Sequence, residues 1–390
     1  SFGTELFSYG NLRDVKTWNF TDEVSMNLGK HNVLAGIQYE TNETKNGFQR
    51  FGSGYYTFKF NTEDDLIAAI NNNTLFNSPY QFAITHSLNS DYSQAFPQFT
   101  FNQLSLYLQD EYSFSDRFKV LGGIRIDLPN YPALNTYNTQ VAGITFEDFK
   151  GSGGKYSTDV LPKSQVMWSP RVGFNWDILG DRKYVLRGGT GIFTGRIPFV
   201  WIVAQAGDAG VLQRTYTAVS GGTATIPTFV ANRLDMLSQI YPNGPTSGNA
   251  ANITSVTMMD RDLKMPQTWK TSLALDAKLP WNVFASLEGI YNQDVNSVTV
   301  RNIGLKAPAS SSINNYADNR LYYGTYYDNT LKSAYLLHNA DKDGYYYSLT
   351  AKLEKNNWHG LSAMMAYTYS QAKSLGDGFG DQVYSAYQNA

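Results

Sequence analysis

Gln103-Leu104-Ser105-Leu106-Tyr107-Leu108-Gln109-Asp110-Glu111-Tyr112-Ser113-Phe114 alternates along its length. Leu104, Leu106, Leu108, Tyr112 and Phe114 share one side; Gln103, Ser105, Tyr107, Gln109 and Glu111 share the other. Successive side chains of a strand point to opposite faces, so this is a strand with one greasy and one polar face. Only Ser115-Asp116-Arg117 separates it from a second such run, 118–127. The same unit recurs outward from here. Residues 15–28 pair with 33–41, 171–178 with 184–193, 268–278 with 283–293, and 345–354 with 361–370, each across a short turn. Between the pairs lie long polar stretches, 42–102, 128–170, 194–267 and 294–344. Strands of about ten residues with short turns at one end and long loops at the other are the pattern of an outer-membrane β-barrel.

The other strands repeat the two-faced pattern. Val172, Phe174, Trp176 and Ile178 oppose Arg171, Gly173, Asn175 and Asp177; Trp269, Leu273, Leu275 and Ala277 oppose Lys270, Ser272, Asp276 and Lys278. Aromatics gather at strand ends, among them Phe114, Phe118, Trp176, Tyr184, Trp281, Trp358 and Tyr369, as interfacial girdles require. A soluble sandwich shares the alternation, with its apolar face turned inward, but its strands are usually shorter. Asp110 falls on the apolar side, which predicts a place near a membrane interface.

Composition agrees with this fold. Of 390 residues 15% are aromatic and only 16% charged, with 28 Tyr and 22 Phe. No run of 18 apolar residues exists, so the chain holds no transmembrane helix, while barrel strands hide their hydrophobicity by alternating. Cysteine is absent, which removes disulfides and thiolate chemistry. A net charge of −2 gives no polyanion-binding surface, so nucleic acid is not an expected partner. Both ends, Ser1-Phe2-Gly3 and Tyr387-Gln388-Asn389-Ala390, read as loops, and the stretch is expected to be an interior slice of a longer polypeptide.

The loops hold the candidates for specific recognition. Phe199, Trp201 and Tyr216 stand in the longest loop, and Tyr322, Tyr323, Tyr326 and Tyr327 cluster in 294–344. Such rings offer flat apolar area with a hydroxyl, suited to peptide, protein or glycan; they serve equally to pack the loop. Val230, Leu234, Leu237 and Ile240 have helical spacing within 229–241. Thr62 followed by Glu63-Asp64-Asp65 predicts a helix start, with that helix packed on its own loop. Asp341-Lys342-Asp343-Gly344 lacks the distal Glu of a calcium loop and reads as a turn. Gly188–Gly195 lies in a strand with no helix after it, so it is no phosphate loop. His31, His86, His338 and His359 are scattered, with no metal or nucleophile motif, and neither enzyme activity nor a cofactor is expected.

Two blocks resemble a known family. Leu106-Tyr107-Leu108-Gln109-Asp110-Glu111-Tyr112 with Arg117 to Arg125 resembles a "YxQDE" strand turning into a "GxR" strand in TonB-dependent outer-membrane transporters. Ser169-Pro170-Arg171-Val172-Gly173-Phe174-Asn175-Trp176, with Lys183 to Phe193 and Gly195-Arg196-Ile197-Pro198, resembles the "SPRxGxxW…RxGxGxF" hairpin of the Oar-like branch common in Bacteroidota. The resemblance implies an all-β, up-and-down antiparallel barrel of 22 strands. Ten would lie in 1–390 as part of one barrel domain, with plug, TonB box and closing strand elsewhere. It implies a receptor that binds a substrate at its extracellular loops and passes it through the plugged lumen. The partners implied are outer-membrane lipid and lipopolysaccharide, TonB through the missing N-terminal region, and a surface lipoprotein. Alternation puts Glu111, Arg125, Arg171, Arg187 and Glu288, with Asp127 and Asp177, on the lumen face; the family makes such charges plug contacts, and a plainly solvated wall is the other reading. A structural or adhesive barrel is the alternative function. A soluble β-sandwich binding protein is a third.

Overall fold

The computed structural model describes residues 6, 9–47, 49–147, 153–244, 253–306, 325–375, 383 and 387, and excludes the side chains of 357 and 358. In chain order its strands are β1 (Leu12–Leu28), β2 (His31–Gly47), β3 (Tyr55–Thr57), β4 (Gln81–Ser87), β5 (Gln98–Ser113), β6 (Phe118–Asn130), β7 (Phe146–Glu147), β8 (Gly153–Gly154), β9 (Met167–Asp177), β10 (Tyr184–Thr194), β11 (Gln213–Val219), β12 (Ser255–Met259), β13 (Gln267–Leu279), β14 (Val283–Val295), β15 (Val298–Asn302), β16 (Ser333–Asn339), β17 (Tyr345–Trp358) and β18 (Leu361–Lys373). The helices are α1 (Glu63–Asn71), α2 (Thr139–Gly143), α3 (Phe199–Asp208) and α4 (Arg233–Ile240).

One sheet dominates, ten strands in the order β1-β2-β5-β6-β9-β10-β13-β14-β17-β18, with every neighbour antiparallel. The protein is an outer-membrane-type, all-β, up-and-down sheet. All ten strands read from the alternation are its members. They run farther than expected at the long-loop end: β2 reaches Gly47 and β5 begins at Gln98. The added rungs lack the outward apolar period: Thr41↔Asn102 and Glu43↔Thr100 are polar, while Phe99 and Phe101 take the opposite, inward parity and are buried.

The register carries one apolar surface across the sheet. Ala35, Leu108, Ile124 and Pro170 form one row; Leu273, Gly289 and Leu349 form another. These residues look outward, and the large ones among them are exposed. Trp168 and Trp176 lie eight residues apart on that face of β9, about 27 Å at 3.4 Å per residue, commensurate with the roughly 25 Å apolar band of a barrel. Trp18, Tyr39, Trp269 and Tyr291 mark the same outer level; Phe114, Phe118, Trp176 and Tyr184 mark the inner one. Trp281 projects from the β13–β14 turn with φ 61° and is 84% exposed. Asp110 lies four residues below the β5 start of the turn to β6, where the His31 Nδ1–H donates to its Oδ2 at 2.6 Å. The acid on the apolar face thus has a partner beside the inner girdle.

The described residues of the long stretches are structured. They build two three-stranded sheets, β11-β4-β3 and β12-β16-β15, and a β7–β8 pair. Three apolar clusters hold them. The largest brings Phe99, Tyr131, Leu161, Trp201, Met259, Val298, Tyr335 and Val383 together, so residues from successive long connections meet in one core. This core sits at the long-loop end of the sheet as a cap.

Candidate functional site

α3 is the centre of the cap. Pro198 precedes its first turn, where the missing N–H is harmless. Its sequence, Phe199-Val200-Trp201-Ile202-Val203-Ala204-Gln205-Ala206, is apolar around its circumference, as suits a helix buried on most sides. Trp201 is 2% exposed and Ile202 fully buried. Gln205, also buried, donates from Nε2 to the carbonyls of Thr158 and Val160 at 3.1 and 2.8 Å, which joins the helix to the β8–β9 connection.

The segment entering α3 is tied to the barrel wall. Arg196 donates through Nη1 to Glu40 Oε1 at 2.6 Å and through Nη2 to Oε2 at 2.5 Å, and its guanidinium lies 5.2 Å from the Phe101 ring centre. Asn42 donates to Glu40 at 2.5 Å, and Thr17 donates to Asn42 at 2.5 Å. Three strands, β5, β6 and β9, separate Glu40 on β2 from the end of β10. Four inter-strand steps span about 19 Å of sheet. Arg196 therefore crosses the concave side as a chord, and the segment after β10 folds in over the lumen.

Below the cap the concave face is polar. Arg125 donates to Asp127 and Gln38, each at 2.9 Å, and Asp127 also accepts from Ser105 and Gln103. Arg187 joins Asp276 at 2.8 Å and Glu288 at 3.3 Å. Lys119 pairs with Glu111 at 3.0 Å. Arg171 lies 5.2 Å from the Phe193 ring centre. The register gives Glu111, Arg125, Arg171, Arg187 and Glu288, with Asp127 and Asp177, the same face of the sheet. Where cap and wall meet is a cavity of about 290 Å³, lined by Arg196, Pro198, Trp201, Asp294, Ser297 and Val298 among others. Prolines, a tryptophan edge and a few polar atoms are the usual furniture of a small-ligand recess.

The loop aromatics have other neighbours than an open binding surface. Trp201 is core; Phe199 packs edge-on against Phe99 at 5.4 Å. Tyr216 donates its hydroxyl to the Thr225 carbonyl at 2.7 Å and packs with Phe82 and Tyr241. Tyr327 packs on the cluster around Phe146 and Ile303, and Tyr326 bridges to Leu305. Tyr322 and Tyr323 lie outside the described residues. Thr62 caps α1 as expected, its Oγ1 accepting from Asp65 N while Asp65 accepts from Thr62 N. None of the α1 residues is fully buried: Leu66 and Ala69 are half-buried, and Ile67 and Ile70 are 47% and 52% exposed. In α4 it is Met236 and Leu237 that are buried, while Leu234 is exposed. Among the described residues no group of His, Asp and Glu could hold a metal.

Sequence reading missed Glu40, Asp294 and the joining role of Arg196. Glu40 does share the lumen parity of Gln38, which the alternation of 33–41 gives, but its partner is 156 residues away.

Comparison with known proteins fits this geometry. The model of the outer membrane beta barrel domain matches residues 2–390. The chain is similar in fold to the outer membrane transporter YddB from Escherichia coli, at 14% identity and a TM-score of 0.50, over 92% of this chain and 34% of that one. It is also similar to the siderophore receptor PirA from Acinetobacter baumannii (12% identity, TM-score 0.46, 94% of this chain and 39% of that one). The FrpB iron transporter from Neisseria meningitidis is another such structure (11% identity, TM-score 0.44, 92% and 37%). The chain spans between 34% and 39% of the length of these solved structures. No curated protein matches it in sequence. The chain belongs to the outer membrane beta barrel domain family, and its place is the outer membrane.

Proposed function

With that membership as the premise, we propose that the chain is the barrel portion of a TonB-dependent transporter of the Oar-like type. It supplies ten strands of a 22-stranded barrel, and the plug, TonB box and closing strand belong to the rest of the polypeptide. The cap takes a peptide, protein or glycan, and the lumen passes it on when TonB moves the plug. The observation that carries this reading is the junction of cap and lumen: a loop-built core seated over a wall of paired charges, with a cavity between them. An adhesive barrel needs outer loops but has no use for a recess opening on the lumen side. Glu111, Arg125, Arg171, Arg187 and Glu288 would then face the plug, and Tyr326 and Tyr327 would shape the outer surface.

A second reading, adhesion to a partner such as a surface lipoprotein, is favoured by the exposed Ile67 and Ile70 of α1. Cells carrying the full-length gene separate the two. A labelled peptide library should cross the outer membrane in wild type and stop when the proton-motive force is collapsed. Capture at the surface with no energy-dependent passage would favour adhesion and contradict transport.

A further inference from the structure

We propose that Arg171 and Lys270 form a carboxylate-binding station on the lumen wall, just beneath the cap. The inference rests on the reading of the lumen as a place where another molecule or segment comes to lie.

Most of the wall's other cations are paired. Lys278, 5.8 Å from the Phe284 ring centre, is an exception with no carboxylate within ion-pair distance among the described residues. What is unusual at Arg171 and Lys270 is that two such cations meet on one ring. Arg125, Arg187, Lys119 and Lys352 each have a carboxylate within 3.0 Å. Among the described residues Arg171 and Lys270 have none within ion-pair distance. They share a ring instead: the guanidinium lies 5.2 Å and the ammonium 5.5 Å from the centre of Phe193. Asp294 stands opposite Thr268, one rung above Lys270 on the same face, and makes no ion pair with it. Two like charges held against one ring from the strands on either side of it repel each other, and an anion that reaches both removes that repulsion. With both within 5.5 Å of one ring centre, they are no more than about 11 Å apart, and long side chains close that distance on a bridging carboxylate.

The floor between them is bare. The register sets Gly123 beside Arg171, Arg171 beside Gly191, and Gly191 beside Lys270. Gly173 and Gly189 form the row below on the same face. A Cβ at Gly191 would come within 2.8 Å of Arg171 Cβ, so a side chain here would push the guanidinium aside. Glycine in a strand weakens it and lets another chain approach the backbone closely. Here it leaves a shelf with cations at its edges and the Phe193 ring, 39% exposed, above. Arg offers a planar fork and Lys a mobile point charge, a pair suited to a carboxylate presented in more than one orientation.

The test uses the full-length protein in detergent and two probes, tetraglutamate and tetraglutamine, in titration calorimetry. Tetraglutamate should bind, more weakly as salt rises, and tetraglutamine should not. Arg171→Gln with Lys270→Gln should weaken binding at least about tenfold, from the loss of two charge-assisted contacts. Arg171→Lys with Lys270→Arg should keep it. Heat-modifiable migration on gels shows that each variant barrel is folded. If tetraglutamate does not bind the wild type, but the double Gln variant alone lowers the melting temperature and the charge-keeping variant does not, the carboxylate comes from the same polypeptide and the station stands. Equal binding of both probes, or neither binding nor a stability change, overturns it. Binding without any transport in cells would leave the station in place and remove the transport reading.

Discussion

Trp201 shows how a single residue type can be read correctly and its place misjudged. Aromatic side chains in a long loop look like a binding surface, but Trp201 is the buried hub of the cap. Nothing within the stretch 194–267 tells that its partners come from 99, 131, 298 and 335, because those contacts are made by the barrel bringing loop ends together. Trp201→Ala should cost about 3–5 kcal/mol of cap stability, with the loops becoming protease-sensitive while the barrel still migrates as folded. Asp208, at the end of α3, accepts a hydrogen bond from Thr257 at 3.0 Å. Its side chain retains contact with solvent, but the protein crowded around it pushes its carboxyl up to about 6. The folded cap binds this proton more tightly than the unfolded chain does. Its stabilising effect is full below about pH 4 and is lost as pH rises through about 6. Asp208→Asn should therefore stabilise the cap at pH 7.5, by no more than about 1 kcal/mol given its solvent contact, and do nothing at pH 4. Loop proteolysis at the two pH values measures this.

The elements divide by how local their cause is. α1 was legible because Thr62 and Asp65 stand three residues apart and need nothing else. The ten membrane strands were legible because lipid on one side and water on the other impose a period of two. The sheets β11-β4-β3 and β12-β16-β15 were not: they pair segments about 130 residues apart in one case and include a parallel pair, β12–β16, in the other. The tie between Arg196 and Glu40 is likewise a contact of elements, not of sequence. Glu40→Gln removes the bidentate pair and leaves a half-buried guanidinium, which should cost about 1–3 kcal/mol and expose 195–266 to protease. Exchanging the charges, Glu40→Arg with Arg196→Glu, should restore much of the protection. Equal cleavage in all three proteins would mean that the tie holds nothing.

At the scale of the whole molecule, the sheet has an outward face for lipid and a concave face with paired charges, capped by folded loops. Leu349 points outward near mid-strand in β17, and Thr350 beside it points inward. Leu349→Arg should cost about 2–4 kcal/mol and reduce assembly in the outer membrane, while Thr350→Arg is tolerated. These 390 residues hold no cysteine, so with any cysteine in the rest of the polypeptide replaced, the most direct measurement is clean. Single cysteines placed from 345 to 354, each carrying a fluorophore in the reconstituted full-length protein, report which side chains meet lipid when a nitroxide-bearing lipid quenches them. The two-faced sheet predicts strong quenching at 345, 347, 349, 351 and 353 and weak quenching at the positions between. Uniform quenching, or quenching at the even positions, would contradict a barrel wall whose polar face lines a passage.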